Sequence, residues 1–245
     1  MTPERTLRVV TYNVRGLRDD RAAVIRVVRA AQPDIVCFQE APRGALWRQR
    51  CGALARDADL LYVAGGRPAA GNMLAVAARV DVLGVRDAML SPSSTPGRQR
   101  ELEHRGISTA LLRVGGVRLG LIGIHAGLSA RERARHAAEI LGVAERLRAG
   151  GAAGVIVAGD LNAAPDRPEW NAMTARLTDA YAAAPSGAEL TFPAIAPRHR
   201  IDVVFVEPPI GVVSCGAYDH PDVALASDHW PVLAVLRVPP RSAHR

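Results

Sequence analysis

The sequence predicts an α/β fold with mixed strand pairing, on three observations. Short apolar runs alternate with segments of helical periodicity from the start of the chain. Gly115-Gly116 separates two further apolar runs as a hairpin turn, and residues 130–149 carry one long amphipathic helix.

The elements follow in order. Residues 7–13, LRVVTYN, form a strand, and residues 20–31 a helix with Val24, Val27, Val28 and Ala31 on one face. Residues 35–39, IVCFQ, are the next strand, followed by another at 72–78. The runs 107–114 and 117–125 pair as the hairpin, which makes the sheet mixed rather than purely parallel. Ser129 to Glu132 fits the S-x-x-E capping box, Ala134, Ala137, Ala138, Leu141 and Ala144 recur at helical spacing, and Gly150-Gly151 stops the helix. Strands at 155–159, 201–206, 211–217 and 232–237 complete the reading. Turn residues and charge make 91–100, SPSSTPGRQR, a loop, either a plain connection or one that touches substrate. No linker or repeat divides the chain, so residues 1–245 are expected to form one domain, with untethered ends at 1–6 and 239–245.

Composition narrows the class further. With 49% hydrophobic residues among 245, the chain can bury a large core. No run approaches the roughly 18 to 20 apolar residues that span a bilayer, and residues 1–20 lack the order of a signal peptide, so a cytoplasmic protein without a membrane anchor is expected. Cys37, Cys51 and Cys215 are odd in number and far apart, which argues against disulfides and structural zinc. The net charge of +7 suits a polyanionic partner. All 31 basic residues are arginine, however, and they scatter beside acids, which fits a solvated surface equally well. Aromatic residues, at 4%, offer few platforms for stacked bases.

The residues able to do chemistry sit at strand ends. In VAGDLNAAP, Asp160 and Asn162 are two apart in extended chain and project to one side, while Leu161 faces the core. Taken alone, GDLN also fits a turn capped by its own side chains. Asp202 interrupts the apolar strand of RHRIDVVFV, and a buried carboxylate needs a partner. His229, in ASDHWPV, is assigned that place, with Arg200 or a backbone amide as the alternative. Asn13, Glu40 and His125 each close a strand, and Asp228 precedes His229. Singly these are turn caps or structural groups; together they fit one cleft at the carboxyl ends of the strands.

The motifs TYNVRG, DIVCFQE, GIHAGLSARERARHAAEI, VIVAGDLNAAP, RIDVVFV and ASDHWPV resemble, in order and spacing, those of the endonuclease/exonuclease/phosphatase superfamily. These are metal-dependent phosphoesterases that include pancreatic-type deoxyribonuclease and apurinic endonucleases. The resemblance runs from Asn13 to His229. It implies a four-layer α/β/β/α sandwich of two packed mixed sheets flanked by helices; the chain is expected to be a monomer. It implies Mg²⁺, with Mn²⁺ as a substitute, held directly by Glu40, with Asn13 beside it and Asp228 completing the anionic region. Asp160 would activate the attacking water, and Asn162 would donate to the phosphate or to that water. His229, aligned by Asp202, would stabilise charge on a phosphate oxygen, and His125 resembles the group that protonates the leaving oxygen. Arg105, and Arg198 or Arg200, are candidates for clasping substrate phosphate, or else solvated arginines. The expected partner is a phosphate ester, foremost a phosphodiester, with nucleic acid among the substrates. A phosphomonoester, an inositol-phosphate or sphingomyelin-type lipid diester, and a catalytically idle polyanion-binding domain stay open.

Overall fold

The computed structural model describes residues 5–92 and 104–238. Its strands are β1 (Thr6–Asn13), β2 (Ile35–Gln39), β3 (Leu61–Gly65), β4 (Met73–Val76), β5 (Asp81–Met89), β6 (Gly106–Val114), β7 (Val117–His125), β8 (Gly154–Asp160), β9 (Thr178–Asp179), β10 (Asp202–Val206), β11 (Gly211–Ala217) and β12 (Val232–Arg237). They make two six-stranded sheets, ordered β11-β12-β1-β2-β4-β3 and β5-β6-β7-β8-β10-β9. Each sheet is antiparallel apart from one central parallel pair, β1 with β2 and β7 with β8. Among the described residues no helix is long and apolar enough to cross a membrane.

Side-chain alternation along the strands builds the layers. Leu7, Val9, Ile35, Cys37, Leu119, Leu121, Ile156 and Ala158 point between the sheets and pack there. Their neighbours Val10, Tyr12, Val36 and Phe38 point outward beneath helices α1 (Arg21–Ala31) and α2 (Trp47–Asp57). On the other sheet Ile122, Ile124, Val155, Val157 and Phe205 point outward beneath α3 (Ala130–Ala149) and α4 (Pro168–Thr174). The result is the expected four-layer sandwich. Each such buried Val, Leu, Ile or Phe is worth roughly 1.5–3 kcal/mol over its exposed state.

Local signals fix the helix ends. Asp20 accepts from the backbone N–H groups of Ala22 and Ala23, at 2.8 and 3.0 Å, and opens α1. Ser129 and Glu132 form both halves of a capping box at the start of α3, which runs over the same residues as its periodicity. Gly115 and Gly116, both at positive φ, make the tight turn of the β6–β7 hairpin.

Some segments depart from expectation. α2 opens on Leu46, which has a left-handed backbone and no side-chain cap, so WRQRCGALARD carries no start signal. β5 is an exposed edge strand broken by a bulge between Val82 and Gly84, and it lacks the alternation of a half-buried strand. The expected free end at 1–6 is corrected in part. Thr6 pairs with Arg237, and Arg5 O accepts from Val238 N, so the chain is tied down from Arg5 onward. Residues 1–4 and 239–245, and positions 93–100 of the expected loop, lie outside the described residues.

One glycine sets up the functional end of β8. A Cβ on Gly159 would lie 2.0 Å from Ile124 O on the neighbouring strand, so the chain entering Asp160 admits no side chain there. Gly159→Ala is therefore expected to lose about 1–3 kcal/mol to overpacking, read as a fall of roughly 2–12 °C in thermal midpoint.

Candidate active site

Register places three polar groups side by side on one sheet. His125, Asp160 and Asp202 occupy mutually paired positions on β7, β8 and β10, where the inward-facing row of each strand ends. Opposite them, the inward row of β1 ends in Asn13, Glu40 follows β2, and Asp228-His229 precede β12. The open end of the inter-sheet core is thus polar, although the rows leading to it are apolar.

Two contacts bridge the sheets. Asn13 Nδ2 lies 3.3 Å from both Glu40 Oε1 and Asp160 Oδ2. His229 Nδ1 lies 2.9 Å from Asp202 Oδ2, the carboxylate that interrupts its apolar strand. His125 Nε2 is 3.5 Å from Asp160 Oδ2. Asn13, His125, Asp160, Asp202 and His229 are buried, whereas Glu40, Asn162, Asp228 and Arg105 are partly open to solvent. The seven groups assigned to one cleft by sequence, from Asn13 to His229, meet at this end.

Backbone conformation aims several of them. Glu40 and Asn162 both hold positive φ, at 52° and 54°, which turns the chain sharply after β2 and β8. The Asn162 backbone N–H donates to Asp160 Oδ1 at 2.8 Å, and its side-chain Nδ2 donates to Ala126 O at 3.1 Å. Asn162 therefore pins the Asp160 carboxylate and keeps its second carboxamide hydrogen for another acceptor.

Electrostatics separates the titratable groups. Burial, with Asp202 nearby, pushes the Asp160 carboxyl up to about 7, against the opposing pull of His229. Burial disfavours a charged His229, yet Asp202 outweighs it and raises the imidazole to about 9, so this ring is a cation. His125 goes the other way. Burial first, then Arg105, His229 and Arg43, hold it well below the ordinary histidine range and therefore neutral.

Arg105 Nη1 lies 3.0 Å from His125 Nδ1, at the edge of the site. Arg200 does not face it. That side chain is buried, its Nη2 is 2.8 Å from Asp179 Oδ2 and its Nε 3.3 Å from Glu189 Oε1, and its guanidinium lies over the Trp170 and Tyr181 rings. Buried, ion-paired to Asp179 through Nη2 and packed against two rings, Arg200 is a structural ion-pair residue, which corrects its reading as a phosphate contact. Arg198 is exposed.

Three neighbours were not singled out from the sequence. The Phe192 ring packs 4.7 Å from the His229 ring and helps fix its plane. Ser227 Oγ donates to Asn13 O at 2.7 Å and ties the segment before β12 to β1. Arg15 Nε sits 3.3 Å from Asp228 Oδ2, and its backbone N–H donates to Asn13 Oδ1. No local pattern singles out Arg15, one of 31 arginines in the chain.

The donor set can be compared with what a divalent ion needs. Glu40, Asn13 and Asp228 offer oxygens only, the preference of Mg²⁺, and Glu40 and Asp228 have access to solvent. The ligand atoms of Asp160, Asp202 and His229 lie within 4.8 Å of one another. In that second group the His229 nitrogen is already engaged by Asp202, while Asp202 Oδ1 is buried without a hydrogen-bond partner. Asp202 Oδ1 is thus a buried acceptor still open to a donor or a cation.

Comparison with known proteins identifies the family and the fold. The model of the Endonuclease/Exonuclease/phosphatase family matches residues 10–229. No curated protein sequence matches the chain. Among solved structures, an endonuclease/exonuclease/phosphatase from Bacteroides vulgatus superposes with a TM-score of 0.79 at 22% identity, covering 96% of this chain and 100% of its own. A mannosyl-6-phosphatase from Bacteroides thetaiotaomicron gives 0.77 at 19% identity, covering 95% and 100%. Humanised D. rerio TDP2 gives 0.67 at 20% identity, covering 95% and 99%.

Proposed function

Since the chain belongs to the endonuclease/exonuclease/phosphatase family, whose members hydrolyse phosphate esters, we propose that it is a Mg²⁺-dependent phosphodiesterase of nuclease-like type. The observation that carries this reading is the pair of cross-sheet contacts, Asn13 to Asp160 and Asp202 to His229, which joins an oxygen-donor region to a buried acid and a cationic histidine.

On this reading Glu40 holds the ion, with Asn13 and Asp228 alongside. When bound, the ion neutralises charge on the phosphate oxygens. Asp160, pinned by the Asn162 N–H and pushed up to about 7, takes a proton from the attacking water; a base titrating near neutrality suits that task. The Asp202 contact at His229 Nδ1 leaves Nε2 to donate a charge-assisted hydrogen bond to a non-bridging oxygen. His125, held neutral beneath Arg105, is better suited to donating a hydrogen bond to the leaving oxygen than to delivering a full proton. Arg105 is the arginine placed to meet a substrate phosphate.

A phosphomonoesterase is the second reading, favoured by the mannosyl-6-phosphatase among the structural neighbours. Hydrolysis of bis-p-nitrophenyl phosphate and p-nitrophenyl phosphate in Mg²⁺, Mn²⁺ and EDTA separates the readings. The expected result is turnover of the diester that EDTA abolishes and that exceeds the monoester rate at least tenfold. The reverse preference supports the monoesterase, and turnover of neither supports the idle polyanion-binding domain. Plasmid DNA, single-stranded DNA, RNA, inositol phosphates and sphingomyelin, tested in one buffer, then identify the substrate class.

A further inference from the structure

The outer face of the second sheet is only partly covered. Helix α3 packs over β7 and β8, and the sheet continues past it through β6 to the edge strand β5. Between α3 and this margin lies a cavity of about 300 Å³.

Sequence explains why the cavity is there. Gly84, Arg86 and Ala88 of β5 pair with Leu111, Thr109 and Ile107 of β6, and all six line it. At the β5 positions facing the helix layer, glycine and alanine stand where bulky apolar residues would fill the space, and a Cβ on Gly84 would meet nothing within 4 Å. Val143 and Leu147 of α3 supply apolar wall on the other side. The volume is at the lower end of those that hold small ligands, with room for about ten water-sized groups.

The polar part of the lining has one sign. Arg86 and Arg146 contribute guanidinium groups, and no acidic residue lines the cavity. Neither arginine has an ion-pair partner among the described residues, whereas Arg21, Arg26, Arg29 and Arg133 all do. An open groove with an apolar wall, flanked by two solvent-exposed arginines without ion-pair partners among the described residues, complements a ligand with an apolar body and an anionic head.

We infer that this cavity is a binding site for a small amphiphilic anion, whose acyl or aryl body lies against Ile107, Leu111, Val143 and Leu147 while its charged group meets Arg86 and Arg146. The site uses no residue of the active site, and it stands whether or not the proposed reaction is correct.

The probe is 8-anilinonaphthalene-1-sulfonate, set against its uncharged analogue N-phenyl-1-naphthylamine. The sulfonate should bind saturably at one per chain with blue-shifted emission, at least tenfold tighter than the uncharged analogue, and octanoate should displace it. Arg86→Gln with Arg146→Gln should weaken the sulfonate at least tenfold and leave the uncharged analogue unchanged. Gly84→Phe, which grows into the groove, should abolish both, and hydrolysis of bis-p-nitrophenyl phosphate should stay within twofold of the parent in every variant. Absence of saturable binding, displacement by inorganic phosphate in place of octanoate, or unchanged affinity in the folded double-arginine variant would each overturn the inference. The double-arginine variant decides the matter even if Gly84→Phe does not fold, because both arginines are exposed.

Discussion

Asp160→Asn is expected to lower turnover at least a hundredfold while leaving the protein as stable as the parent, or more stable. The two effects share one cause. Asp160 is 1% exposed, and burial together with Asp202 favours its protonated form. A carboxyl whose folded pKa lies above its unfolded value costs stability as pH rises through that interval, so removing the charge relieves the folded state at and above neutrality. Asparagine keeps the shape and can still accept from the Asn162 N–H, at the cost of the bond from Asn13 Nδ2, but it cannot take a proton from water. A hundredfold loss is about 2.7 kcal/mol of barrier, within the range for removing one preorganised group at a reacting centre. Thermal unfolding in EDTA beside turnover in Mg²⁺ checks both halves. Turnover within tenfold of the parent would remove Asp160 from the chemistry.

The second large effect has the opposite sign in stability. His229→Ala leaves Asp202 buried without the cation that compensates it, and breaking a buried pair in this way costs about 3–5 kcal/mol. At roughly 2–4 °C per kcal/mol for a chain of this size, the thermal midpoint should fall by about 6–20 °C, and turnover should fall at least a hundredfold. His229→Gln combined with Asp202→Asn removes both charges and should recover most of the stability while activity stays lost. Recovery of activity along with stability would show that His229 acts only by holding the fold.

The contrast between these residues shows what the sequence makes readable. Asp202 stood out because a carboxylate in an apolar strand demands a partner, and His229 lies 2.9 Å from it. The strand-end positions of Asn13, Glu40, His125 and Asp160 were readable because each closes an apolar run, and the capping box fixed α3 to the residue. What was hidden depends on tertiary pairing. The place of Arg200 is hidden until Trp170, Asp179 and Tyr181, all from an earlier segment of the chain, close around it. The link from Arg15 to Asp228 spans almost the whole chain. β5 could not be read from its pattern, because its side chains are exposed on both faces over most of its length and nothing requires apolar alternation. The neutral state of His125 depends first on burial and then on Arg105 beside it, relations that neither local motif contains.

On the proposed reading, Asn13, Glu40 and His229 from one sheet and Asp160 from the other serve one metal-assisted phosphate site. Anomalous diffraction from crystals soaked in Mn²⁺ and inorganic phosphate tests it most directly. A manganese peak is expected at the Glu40 carboxylate, with a phosphate hydrogen-bonded to His229 Nε2 in the same cleft. Manganese bound away from Glu40, or phosphate seated where His229 cannot reach it, would contradict it.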